Sequence, residues 1–125
     1  MGLSYAEIEL SNPCQPALTP VRTSALADTG AMMLCIPHRV AAELELEKAD
    51  DRPVTLADGR RVSVPYVGPI QVRFGKRFCF VGAFVMGDEV VLGAVPMEDM
   101  DLVVSPLTRA VTVNPLSPDA PLCRA

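Results

Sequence analysis

The sequence predicts an all-β domain with one or two short helices, and three observations carry that prediction. Twelve prolines and eight glycines divide the 125 residues into short apolar runs, which suits turns and strands rather than a bundle of long helices. Ala6-Glu7-Ile8-Glu9-Leu10 and Ile70-Gln71-Val72-Arg73-Phe74 alternate with the two-residue period of a strand that buries one face. Asp58-Gly59 lies between two further alternating segments, Val54 to Leu56 and Val62 to Val64, as the turn of a hairpin does. With 50% hydrophobic residues the chain can fill one modest core, and a second domain does not fit. We assign the domain to residues 1–113.

Taken in order, the first strand is Tyr5 to Leu10, ended by Ser11-Asn12-Pro13. Val21 to Ala27 forms a second strand that feeds a turn at Asp28, and Met32 to Ile36 continues beyond it. Pro37 suits the first turn of a helix running to about Leu46, with Val40, Ala41 and Leu44 on one face. Glu45, Glu47, Lys48, Asp50 and Asp51 read as a solvated helix end and linker. The hairpin follows, its tip spanning Ala57, Asp58, Gly59, Arg60 and Arg61. Pro65 and Val67-Gly68-Pro69 then interrupt the returning arm before Ile70 to Phe74. Phe78 to Met86 and Glu89 to Leu92 are near-continuous apolar runs, as central strands are. Because aromatics are only 5% of the chain and Trp is absent, the cluster Phe74, Phe78, Phe80 and Phe84 is expected to anchor the core. Val95 to Met100 is a short amphipathic piece, and Asp101 to Ser105 and Ala110 to Val113 are the last strands. Pro115, Pro118 and Pro121 predict a poorly structured tail over residues 114–125.

Composition narrows the function. The net charge is −4, and Arg60-Arg61 and Lys76-Arg77 are isolated basic pairs, so nucleic acid is not an expected partner. No apolar run approaches the roughly 18 residues of a membrane span, and the N-terminus lacks the basic-then-apolar pattern of a leader. A cytoplasmic protein without membrane contact is expected. Four widely spaced cysteines and a single histidine disfavour zinc. Cys35 and Cys79 lie in apolar segments as small buried hydrophobes, whereas Cys14 and Cys123 sit among prolines, where a free thiol and a disulfide are equally open.

The chemistry concentrates at Ala27-Asp28-Thr29-Gly30-Ala31. One carboxylate stands there in a small-residue turn directly after the apolar stretch Ser24-Ala25-Leu26. Two carboxylates that share a proton need close backbone approach, and Gly30 and Ala31 remove the bulk that prevents it. A second element lies downstream, Val90-Val91-Leu92-Gly93-Ala94 followed by Val95 to Met100. The two stretches together resemble those of the retropepsin-like aspartic proteases, single-domain enzymes that include the retroviral proteases and stand-alone bacterial relatives. In that family Leu/Val-x-Asp-Thr-Gly-Ala is followed by apolar residues and a Pro, as in Met33-Leu34-Cys35-Ile36-Pro37 here. Apolar residues, a Gly and a short helix recur later, as in Leu92-Gly93 and Val95 to Met100. The resemblance spans residues 5 to 115.

It implies a closed acid-protease barrel, one lobe per chain, and an aspartic endopeptidase acting on a peptide or protein substrate without metal or organic cofactor. A single Asp-Thr-Gly per chain implies a homodimer, which brings Asp28 against its symmetry mate. Such a pair titrates as a unit, one member activating water and the other polarising the scissile carbonyl. By the same resemblance Thr29 bonds across the dimer, Gly30 presents its carbonyl to substrate, and Ala31 and Met32 line the pocket. Ala57, Asp58, Gly59 and Arg60 form the flap over it. The retroviral members brace the dimer with an Asp soon after the turn and an Arg after the downstream Gly. Met32 and Ala94 occupy those places here, which implies a different bracing. The rival reading is a non-proteolytic module that uses the same fold for dimerisation or peptide binding. Other chemistries fit worse: His38 is the single histidine, and no Gly-x-Ser-x-Gly is present. Asp88-Glu89 and Glu98-Asp99-Met100-Asp101 read as solvated charges.

Overall fold

The computed structural model describes residues 3–105 and 107–122. They form nine strands and two helices: β1 Tyr5–Ser11, β2 Val21–Ala27, β3 Leu34–Ile36, α1 His38–Glu43, β4 Lys48–Thr55, β5 Arg61–Phe74, β6 Arg77–Val85, β7 Val91–Leu92, α2 Ala94–Asp99, β8 Leu102–Val104 and β9 Val111–Val113. Seven strands lie in the order β1-β2-β7-β3-β6-β5-β4, and a further pairing of β1 with β5 closes six of them into a barrel with β4 outside. β8 and β9 make a separate antiparallel pair. No helix of the described residues is long and apolar enough to cross a membrane.

The two-residue period explains the core. Ala6, Ile8 and Leu10 of β1 point inward while Tyr5 and Glu7 face out. Leu10, Leu34, Ile36, Leu44, Ile70, Leu92 and Met100 are fully buried, so the interior is aliphatic. In α1, Pro37 occupies the N-cap position, Val40 and Ala41 are buried, and the helix stops at Leu44 because Glu45 takes a left-handed φ of 49°. The Asn12 side chain donates to the Leu44 carbonyl at 2.9 Å and joins this helix end to β1.

Four expectations are corrected. The expected linker after α1 is strand β4, paired antiparallel with β5 from Lys48↔Val67 to Thr55↔Arg61. It reads as a loop because it is an outer strand, almost wholly exposed, and its charges and Pro53 are what such an edge carries. The Pro65 and Val67-Gly68-Pro69 segment does not end a strand. β5 runs through it, and the irregularity is a register shift against β6 between Val67 and Ile70. Phe78 and Phe80 do not anchor the core: they are 45% and 56% exposed and stack edge to face on the outside of β6. Arg77 and Cys79 alternate with them and take the inward positions.

The fourth correction concerns the tail. Residues 114–122 fold as turns against the barrel, held by two side chains. The Asp101 carboxylate accepts from Asn114 Nδ2 at 3.1 Å, from the Leu122 N–H at 3.0 Å and from the Ser117 hydroxyl. Arg77, 5% exposed, donates to the carbonyls of Met100, Asp101 and Ser117. Its inward guanidinium is matched by two carbonyls at the end of α2, those of Met100 and Asp101, and by one from the tail, that of Ser117, which is how a buried charge is tolerated. Cys14 is an exposed free thiol, and Cys123 lies outside the described residues.

Candidate active site

β7 lies between β2 and β3. It runs parallel to β2 through Leu26↔Val91 and Ala27↔Leu92, and antiparallel to β3 at Cys35↔Val91. The chain leaving β2 must therefore cross the end of β7 before entering β3, and residues 28–33 are that crossing. Its start is held from both sides: Ala27 N–H donates to the Ser4 carbonyl at 2.8 Å and Asp28 N–H to the Leu92 carbonyl at 3.0 Å. Within the turn, Ala31 N–H donates to the Asp28 carbonyl at 3.1 Å, and Gly30 N–H to the carboxylate Oδ1 at 2.9 Å. One carboxylate oxygen is thus fixed by the turn it belongs to.

Two glycines leave room here, and at Gly93 the backbone leaves room for nothing else. A Cβ on Gly30 would stand 3.0 Å from Asp28 Oδ1 and crowd the carboxylate. A Cβ on Gly93 would lie 2.3 Å from the Met33 carbonyl oxygen and 2.8 Å from that of Ala31. Gly93 leads into α2, whose first N–H groups bond the crossing: Ala94 to the Ala31 carbonyl at 2.9 Å and Val95 to that of Met32 at 2.8 Å. The apolar-Gly-helix element is therefore the support on which the Asp28 turn rests.

A cleft of about 430 Å³ opens at the turn. It is lined by Asp28 and residues 30–33 of the crossing, by Cys35, Phe84 and Met86 on the barrel side, its wall, and by Val54 to Ala57 on the hairpin side, its roof. Among the residues predicted from sequence, Asp28, Gly30, Ala31, Met32 and Ala57 are brought together around it. Thr29 is exposed beside Asp28 and does not line it. Asp58, Gly59 and Arg60 are exposed at the hairpin tip, beyond the cleft. That tip is self-contained: Asp58 accepts from the Arg60 N–H at 2.9 Å and from its Nε at 2.7 Å, which hold the carboxyl below its ordinary pKa. Gly59 has φ 87° and its N–H donates to the Leu56 carbonyl at 2.9 Å. The hairpin side of the cleft is thus built from the end of β4 and the first turn residue, Ala57, and not from residues 58–60.

Sequence reasoning missed Cys35, Val54, Thr55, Leu56, Phe84 and Met86. Cys35, a small buried hydrophobe by its sequence context, is half-buried in the cleft wall. Burial, and secondly the Asp28 charge, raise the pKa of its thiol. Cys35 and Phe84 are register partners on neighbouring parallel strands, a pairing that no local pattern reveals. His38 is exposed at the start of α1 and does not line the cleft. Among the described residues no group of three or more His, Cys, Asp and Glu side chains could hold a metal ion.

One Asp-Thr-Gly turn on a closed six-stranded barrel defines a retropepsin-like fold. Residues 18–116 match the model of the aspartyl protease family, and the chain belongs to that family. Among solved structures it is similar to the retroviral protease-like domain of Ddi1 from Leishmania major, with a TM-score of 0.59 and 11% identity over 91% of each chain. It is also similar to the Simian Foamy Virus (mac) protease, with a TM-score of 0.48 and 16% identity over 75% of this chain and 91% of that one. A comparison with curated protein sequences gives no match.

Proposed function

We propose that the chain is an aspartic endopeptidase that works as a homodimer, with Asp28 of each subunit forming the catalytic pair. The observation that carries this reading is the Asp28 carboxylate held by its own turn in the lining of a roofed cleft. One carboxylate takes a proton from water as the oxygen attacks the scissile carbonyl; the other, protonated, donates to the carbonyl oxygen. Collapse of the adduct releases the amine with the proton returned to it. Asp28, Thr29 and Gly30 are exposed in the single chain, as residues awaiting a symmetry mate would be. Thr29, outside the cleft, is free to bond across such an interface. Ala31, Met32 and the arm ending at Ala57 contact substrate, and the largely apolar walls favour peptides with apolar side chains near the cleaved bond. Asp58, Gly59 and Arg60 close the hairpin that carries this arm.

The test is cleavage of a mixed peptide library by wild type beside Asp28→Asn, at several pH values and over a dilution series. Expected are at least about a 100-fold loss in the variant and a specific activity that falls on dilution below the dimer midpoint. A library left intact at every pH, with a peptide still retained by the folded protein, supports the non-proteolytic binding module instead.

A further inference from the structure

Tyr66 stands where the hairpin leaves the barrel. From Phe74 back to Tyr66, β5 is paired with β6, the last pair being Tyr66↔Phe84. From Pro65 to Arg61 the described residues pair β5 with β4 alone. Beyond Tyr66 the hairpin is therefore a two-stranded ribbon, a unit that does not hold its own angle to a body. Its roofing residues, Val54 to Ala57, lie in this ribbon.

Tyr66 is locked at that point on three sides. Gly82 on β6 provides a seat for the ring: a Cβ there would lie 2.1 Å from the Tyr66 phenol oxygen and 2.2 Å from Cζ. Phe84, two residues further along the same strand, packs against the ring at 5.5 Å between centroids with the planes at 55°. The Arg52 guanidinium of β4 covers the ring at 3.8 Å from its centroid. Both neighbours lead to the cleft. Phe84 is part of its wall, and Val54, two residues after Arg52 on β4, is part of its roof. Wall and roof meet through one phenol ring, and only a residue without a side chain at position 82 admits it.

We propose that Tyr66, seated on Gly82 between Arg52 and Phe84, is the positioning residue that sets the hairpin over Asp28. The role rests on the endopeptidase reading only for its effect on catalysis; the geometry it controls exists without substrate. Because the atoms facing Gly82 are the far end of a side chain, Gly82→Ala displaces the ring without forcing the backbone apart. Tyr66→Leu removes the ring, and Tyr66→Phe keeps ring, seat and both stacking partners.

The experiment is amide hydrogen exchange on the full chain without substrate, with steady-state kinetics on a cleaved peptide beside it. Residues 54–64 should exchange about tenfold faster in Gly82→Ala and Tyr66→Leu, the equivalent of one aromatic pair and one cation–π contact, while β1 and β2 keep wild-type rates. KM should rise about tenfold with kcat changed less, because substrate and transition state lose the same roof. Tyr66→Phe should match wild type in both. Hairpin exchange unchanged in the two disruptive variants, acceleration spread evenly over the barrel, or faster hairpin exchange with unchanged KM would each overturn the role. If Gly82→Ala does not fold, Tyr66→Leu decides by the same criteria. A wild type that cleaves nothing removes the endopeptidase reading, and the exchange arm still decides whether Tyr66 positions the hairpin.

Discussion

Gly93→Ala is the sharpest perturbation available at the site, because the added methyl has nowhere to go. It would stand 2.3 Å from the Met33 carbonyl oxygen, 2.8 Å from the Ala31 oxygen and 2.8 Å from the Met32 carbonyl carbon, all of them backbone atoms. No rotamer change relieves such a contact, so α2 and the Asp28 crossing must separate. Separation breaks the Ala94 bond to Ala31 at 2.9 Å and the Val95 bond to Met32 at 2.8 Å. Two backbone hydrogen bonds at about 1 kcal/mol each, with an overpacking penalty of about 1 kcal/mol at the low end of its range, come to about 3 kcal/mol. Unfolding entropy near 2.1 cal/mol/K per residue makes that about 12 °C in Tm for a chain of 125 residues. Thermal melting by circular dichroism, with peptidase activity below the melt, is the assay. Gly30→Ala is the contrast: its one close neighbour is Asp28 Oδ1 at 3.0 Å, so activity should fall while Tm stays within about 3 °C. A Gly93→Ala protein melting within about 3 °C of wild type would show that α2 does not support the turn.

Three further outcomes follow from side chains away from the turn. Arg77→Leu leaves the carbonyls of Met100, Asp101 and Ser117 without their shared donor and should destabilise by about 3 kcal/mol in chemical denaturation. Arg77→Lys should recover only part of that, since an ammonium lacks the planar fork; a loss below about 1 kcal/mol for Leu would refute the clamp. The Asp101 carboxyl is held below its ordinary 3.8 by Ser117, then by the Leu122 N–H, then by Asn114. A lowered folded pKa gives stability that is complete above the unfolded value and lost as pH falls through the folded one, so residues 114–122 should stay protected at neutral pH and loosen only below pH 3.8. Hydrogen exchange of that segment reads it, and loosening already at neutral pH would contradict it. Burial, with the Asp99 charge second, pushes the Cys79 thiol up to about 12, and Cys35 is raised by burial and then by Asp28. Alkylation followed by mass spectrometry at mildly alkaline pH should label exposed Cys14 first, Cys35 slowly and Cys79 only on unfolding, with Asp28→Asn speeding Cys35. Equal rates at Cys14 and Cys35 would refute this ordering.

What the sequence makes legible is local. Asp28 to Ala31, the Pro37 helix and the Asp58-Gly59 turn each state their geometry within a few residues, and the alternation of β1 states its buried face. Lys48 to Pro53 does not declare itself a strand, because an outer strand needs no apolar face and its partner is set by the hairpin. The expectation for Phe78 and Phe80 inverts for a related reason. Hydrophobicity alone says inside, but Arg77 and Cys79 hold the inward phase of β6, and a strand has only two phases. The cleft is the least legible part: Cys35 on β3, Phe84 on β6 and Val54 on β4 are far apart in sequence and become neighbours only when three pairings have formed. The same holds for the folded tail, whose order depends on two distant side chains, Asp101 and Arg77, rather than on its own proline-rich composition.

Met32 and Ala94 bring no charge pair to the Asp28 turn, and the structure shows what holds the turn within one chain. Met32 is 70% exposed, so position 32 carries no buried charge needing a partner. The connection between the two positions is made instead by backbone: Ala94 N–H meets the Ala31 carbonyl, and Val95 N–H meets the Met32 carbonyl. Such bonds demand a glycine at position 93, where a Cβ would meet the backbone of residues 31–33, and almost nothing of the side chains around them. A turn supported in this way places few demands on the identity of its side chains. In the proposed homodimer, bracing at this turn would fall to the exposed faces of Thr29, Met32 and Val95. Charge pairing there would weaken with added salt, whereas apolar contacts would not. Dimerisation measured by analytical ultracentrifugation should therefore hold or strengthen as sodium chloride is raised; a dimer that dissociates with salt would mean that ion pairs elsewhere have taken over the bracing.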